Sequence, residues 1–236
     1  DLWWLSPPCQ PFTRRGAQKD DRDPRAATFL AMIERIGELT PRAVALENVP
    51  GFVGSRVHGK LLETLATARY EVAEHLLCPS EWGLPNRRRR YYLAAVCEGD
   101  LQPLPERPAG RQTVADLLDA EPEPGLEIPP EIVRSYEGAL DRVDPEDPEA
   151  VTACFTSAYG RSWVRSGSYV EIGDGRLRRF SPGEVLRLLG FPASFELPPD
   201  LPRDAAWRLV GNSLSLPPVS AVLGRVAIRE AAGPSR

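Results

Sequence analysis

Ser6-Pro7-Pro8-Cys9-Gln10-Pro11-Phe12-Thr13 follows directly on the apolar run Leu2-Trp3-Trp4-Leu5. The run has the length and composition of a short buried strand, and Pro7-Pro8, which lack backbone donors, must end it. A thiol is therefore presented on a stiff turn at the carboxyl end of a strand. In open α/β sheets that is the edge at which ligands bind. A lone cysteine after a strand is more often a small buried apolar residue. Here it is one of several motifs spaced along the chain, and their joint pattern favours a site.

Outward from the loop, Asp23-Pro24 places an acidic cap before a proline at the first helical position. Phe29, Met32, Ile33 and Ile36 then recur at helical spacing, which predicts a core-facing helix. Pro41 breaks it. Ala43-Val44-Ala45-Leu46 reads as the next strand and puts Glu47 at its carboxyl end. Glu47 converges with Cys9 only if the two strands lie side by side in a parallel sheet, with the helix as crossover. Leu61, Leu62 and Leu65 mark a second helix. Residues 70–77 and 91–96 read as paired strands flanking Pro85-Asn86-Arg87-Arg88-Arg89-Arg90.

The composition turns to Pro, Glu and Gly near residues 99–110, where a linker is expected. Thr113 and Asp116 have capping-box spacing, as do Ser181 and Glu184. A short helix is expected near Ile132–Tyr136, and Gly173-Asp174-Gly175 reads as a hairpin turn. Gly211-Asn212-Ser213-Leu214 by itself is only a turn. Beyond it, Val219, Val222, Leu223 and Val226 share one face of a final helix. The expected division is residues 1–98, 99–180 and 181–236, with the middle segment as a separate small domain.

The 236 residues allow one large domain or two small ones. No apolar run reaches membrane-spanning length, and the first residues do not read as the basic region and cleavage pattern of a secretory signal. Cys9, Cys78, Cys97 and Cys154 show no CxxC pairing. With only His58 and His75 beside them, no zinc spacing is found. This predicts a reducing compartment, cytoplasmic or nuclear. The net charge of −4 hides an asymmetry: residues 116–149 carry 12 acidic and 2 basic residues, and the rest 21 and 27. A nucleic-acid partner is compatible with that remainder.

Pro8-Cys9-Gln10, Glu47-Asn48-Val49, Asn86-Arg87-Arg88-Arg89-Arg90 and Gly211-Asn212-Ser213-Leu214 occur in the order found in the C5-cytosine methyltransferases, and the chain resembles that family over nearly its whole length. The resemblance implies a Rossmann-like α/β fold that uses S-adenosylmethionine, with a small target-recognition domain. It implies Cys9 as nucleophile, Glu47 at N3 of the base, Arg90 at its O2 side with Arg88 nearby or on the backbone, and Pro8, Asn212 and Leu214 at the cofactor. In the family, a segment before the cysteine loop supplies three strands and most of the cofactor pocket. No glycine-rich turn precedes Cys9 here, so the expectation is a member whose N-terminal cofactor-binding segment is missing.

Thr13, where most DNA-methylating members have serine, and Asn86, where they have glutamine, resemble the branch that methylates the anticodon loop of aspartate tRNA. So does Cys154-Phe155-Thr156 followed by Tyr159-Gly160, which the resemblance assigns to substrate recognition. tRNA is thus the expected partner, with a DNA methyltransferase and a non-catalytic nucleic-acid-binding remnant as alternatives. A thiol hydrolase lacks support, because neither histidine shares a motif with Cys9.

Overall fold

The two apolar runs read as parallel strands are so in the computed structural model, which describes residues 1–13, 19–97 and 99–226. Strand β1 (Leu2–Leu5) pairs in parallel with β2 (Ala43–Asn48), and helix α1 (Ala27–Leu39) lies between them in sequence. The Asp23 carboxylate accepts from the Arg25 amide at 3.0 Å and caps the 3-10 turn that leads into α1. Phe29, Ile33 and Ile36 are buried on its inner face. Helix α2 (Arg56–Thr67) packs on α1 and leads to β3 (Glu71–Leu77) and β4 (Arg90–Val96). The sheet order is β1-β2-β4-β3, with β4 antiparallel to both neighbours. All six residues of β2 are buried, as its interior position demands.

Of the described residues, 1–77, 89–106 and 219–226 form one compact unit, and 78–88 and 107–218 another. The second unit holds helix α3 (Pro130–Ser135), strand β5 (Asp141–Val143), the hairpin β6 (Ser168–Glu171) and β7 (Leu177–Arg179), helix α4 (Pro182–Leu188) and helix α5 (Arg203–Asn212). Helix α6 (Leu216–Gly224) begins in the second unit and ends in the first.

This division departs from breaks after residues 98 and 180. Residues 181–218 join the second unit because Val185, Leu186, Leu188 and Leu189 of α4 share one core with Leu177 and Phe180 at the hairpin. The Gly173-Asp174-Gly175 turn is as read: all three residues have positive φ. Gly211-Asn212 is not a turn but the last two residues of α5.

The expected capping box at Ser181 and Glu184 is present, and Glu184 does more. Fully buried, it also accepts both terminal nitrogens of buried Arg178, at 2.8 and 2.9 Å. No helix among the described residues is long and apolar enough to cross a membrane.

Candidate active site

Parallel pairing puts the carboxyl ends of β1 and β2 side by side. Leu5 is the partner of Leu46, so the next residues, Ser6 and Glu47, face each other, and the Ser6 hydroxyl donates to Glu47 Oε2 at 2.8 Å. On the other side of β2, Asn48 lies opposite Tyr91 of β4. Arg90 is therefore brought to the same end, with its Nε 3.3 Å from Glu47 Oε1. Glu47 is only 7% exposed. A carboxylate taken this far out of water must be paired, and here each oxygen has a donor.

Cys9 stands four residues past the end of β1. It opens a 3-10 turn over Gln10–Phe12, closed by the Phe12 amide donating to the Cys9 carbonyl at 2.9 Å. The thiol is half-buried and caps nothing. The turn is anchored by Phe12, whose ring meets Phe52 edge-on at 5.0 Å between centroids. The Glu47-Asn48-Val49-Pro50-Gly51-Phe52 segment supports the loop elsewhere too. The Asn48 carboxamide reaches the Pro7 carbonyl at 3.5 Å and accepts from the Val49 amide at 2.8 Å.

Gly51 lies so close to the loop that a Cβ there would fall 2.3 Å from the Phe12 carbonyl oxygen. That overlap is with backbone, so one of the two segments must move. Gly51→Ala is expected to lower turnover on the order of tenfold by displacing the cysteine turn, since ångström-scale misplacement is costly in catalysis. Its melting temperature should fall as well, because the displaced backbone carries Phe12, whose buried ring packs on Phe52. A turnover number equal to that of the unaltered protein would show that the loop tolerates the shift.

Positive charge near the thiol comes from a residue the motifs do not mark. The 3-10 turns that carry Cys9 and Arg25 pack against each other. The Arg25 pKa is raised, first by its two-pronged bond to Asp23 at 2.9 and 2.7 Å and also by attraction to Cys9. Ser6 is likewise unmarked. Its role could have been found from the parallel pairing itself, which sets residue 6 against residue 47.

The remaining sequence candidates belong to the second unit. Arg88 is 5% exposed, and its guanidinium donates to the Phe155 carbonyl at 2.9 Å, Cys154 Sγ at 3.3 Å, the Gly211 carbonyl at 3.3 Å and the Ser213 carbonyl at 2.5 Å. It was expected among the catalytic residues; the structure uses it to tie the Cys154-Phe155-Thr156 segment to Gly211-Asn212-Ser213. Gly211 completes the tie, since a Cβ there would lie 2.3 Å from the Thr156 carbonyl.

Phe155, expected to recognise substrate, is 1% exposed and packs edge-on against Tyr159 and Phe180, so its ring is core. Cys154 and Thr156 are half-buried. Asn86 is fully buried, bridged to Thr152, and both polar atoms of its side chain lack a partner among the described residues. Pro8 and Asn212 are exposed and Leu214 half-buried.

The family model for C-5 cytosine-specific DNA methylase matches residues 1–123. A tRNA (cytosine(38)-C(5))-methyltransferase of Spodoptera frugiperda is 30% identical over 94% of this chain and 78% of that protein. A DNA (cytosine-5)-methyltransferase of Dictyostelium discoideum is 29% identical over 94% and 76%. Among solved structures, the Entamoeba histolytica methyltransferase EhMeth superposes with a TM-score of 0.87 at 25% identity, over 95% of this chain and 76% of that one. The α/β architecture is that of S-adenosylmethionine-dependent methyltransferases, and the chain belongs to the C-5 cytosine methyltransferase family.

Proposed function

We propose that this protein methylates C5 of a cytosine in tRNA, in the anticodon loop of aspartate tRNA, through a covalent adduct with Cys9. The observation that carries the reading is the strand-end group: a cysteine turn beside a buried Glu47 held by Ser6 and Arg90. Cytosine C5 is a poor nucleophile, and adding a thiolate at C6 cures this by pushing an electron pair toward C5. The Cys9 sulfur forms the bond to C6. Glu47 gives its proton to N3, so the ring does not hold a full negative charge. The Ser6 hydroxyl can turn from donor to acceptor, which leaves room for that proton on Glu47 Oε2. Arg90 keeps Oε1 in place and directs charge toward the O2 side of the base.

Exposed Pro8 in the first unit, and exposed Asn212 and half-buried Leu214 in the second, are the residues that the family resemblance assigns to S-adenosylmethionine, which when bound supplies an electrophilic methyl group to C5. Afterwards the N3 proton returns to Glu47, the C5 proton leaves to solvent, and the C6–S bond breaks to restore the ring double bond and the Cys9 thiolate. The base must be out of its stack for Cys9 to reach C6.

Support for tRNA lies in the family resemblance carried by Thr13, Asn86 and the Cys154-Phe155-Thr156 segment, and in the similarity to the Spodoptera tRNA (cytosine(38)-C(5))-methyltransferase. RNA loops present unstacked bases and 2′-hydroxyls, so a small domain can read them by shape. Duplex DNA instead requires side chains that reach base edges in the major groove. Transcribed aspartate tRNA is expected to accept labelled methyl groups well above duplex DNA at matched salt, and replacing the anticodon-loop cytosine should remove the signal. Preferential labelling of duplex DNA, as the name of the Dictyostelium relative would suggest for that protein, would reverse the substrate while leaving the chemistry intact.

A further inference from the structure

The first unit also joins buried His58 and Tyr91 to the exposed carboxylate of Glu74, a cluster of titratable groups that the chemistry above does not use. His58, in the first turn of α2, is 7% exposed. Its Nε2 lies 2.6 Å from Glu74 Oε1 on β3, and its Nδ1 lies 3.2 Å from the Gly54 amide nitrogen. A backbone amide can only donate, so Nδ1 must carry the lone pair, and the ring proton sits on Nε2, where it donates to the Glu74 carboxylate. Tyr91 on β4 donates to the same Glu74 oxygen at 2.7 Å. Burial, and then the Glu74 bond, push its phenol pKa far up, so Tyr91 stays neutral. The charged group at the ring is Glu74 from β3; at the start of α2 the Asp20 carboxylate accepts from the Arg56 and Val57 amides. The Ser55 hydroxyl accepts from the His58 amide on the same turn.

We infer that His58 is a positioning residue for the cysteine loop, acting in its neutral Nε2–H form through the bond its Nδ1 accepts from Gly54. Gly54 closes the turn that begins at Pro50. Within that turn Phe52 packs edge-on against His58 at 5.2 Å and against Phe12 at 5.0 Å, and Gly51 abuts the Phe12 carbonyl. The turn carrying Cys9 thus rests on a segment whose far side is pinned to the imidazole. Protonating Nδ1 sets an N–H against the Gly54 N–H, and that pin is lost.

This inference rests on the catalytic reading of the loop, but its test does not need turnover. In the full chain, nitrogen-15 spectra of the imidazole, assigned with His58→Asn, should show the Nε2–H tautomer near neutral pH. Finding the proton on Nδ1 overturns the inference. Asparagine places an acceptor where Nδ1 was, and glutamine keeps a donor toward Glu74 but offers Gly54 nothing. Hydrogen exchange at Gly54 should therefore stay slow in His58→Asn and quicken about tenfold in His58→Gln, the size of one lost hydrogen bond. The alkylation rate of Cys9, read by peptide mapping, should follow the same order. Equal exchange and equal Cys9 reactivity in the two variants would sink the proposal whether or not the chain methylates tRNA.

Discussion

Replacing Cys9 with alanine is expected to abolish methyl transfer, on the order of 10⁴-fold or more, as when a covalent nucleophile is removed. The fold should survive. The thiol is half-buried, caps no helix, and sits in a turn closed by the backbone bond from Phe12 to Cys9 and anchored by the Phe12 ring. None of those contacts uses sulfur, so the melting temperature should move by no more than about 2 °C. An RNA carrying 5-fluorocytosine makes the assignment specific. Fluorine cannot leave C5 as a proton does, so the unaltered protein should be trapped as a stable adduct and Cys9→Ala should not. Substantial residual turnover in Cys9→Ala would remove Cys9 from the mechanism.

Glu47→Gln should cost on the order of 10²-fold in turnover, the usual worth of a positioned acid. Glutamine keeps the length of the side chain and an oxygen for Arg90 Nε, and its amide can donate to the Ser6 oxygen. The two contacts at 3.3 and 2.8 Å are thus retained in kind. What it lacks is a proton to transfer to N3. The adduct would then have to carry negative charge on the ring, and the barrier to forming it rises. Stability is expected to fall only slightly, because no buried donor is left without a partner. If the melting temperature fell in step with activity, Glu47 would be holding β1 to β4 rather than acting on the base.

Both effects depend on a placement that a local reading of the chain could anticipate. Proline after an apolar run, a capped helix with one apolar face, and a second apolar run ending in Glu47 dictate a strand-helix-strand crossover. Parallel strands then force Ser6 and Glu47 together. The capping box at Ser181 and the glycine hairpin at residues 173–175 were legible for the same reason: each is decided by the φ angles and donors of a few adjacent residues.

What could not be read locally is where long side chains spend their hydrogen bonds. Four successive arginines are alike in sequence. Yet Arg88 goes to carbonyls more than 60 and 120 residues away, Arg90 to Glu47, and Arg87 and Arg89 face solvent. Phe155 shows the same limit, since only the packing of Tyr159 and Phe180 around it makes it core rather than a recognition residue. By itself the sequence determined the order of elements, the strand-end position of Cys9 and Glu47, and the family. Tertiary structure alone decided that Arg90 pairs with Glu47, that Arg25 lies near Cys9, and that His58 meets Glu74 and Tyr91. Those contacts join residues far apart in the chain, and no local propensity encodes them.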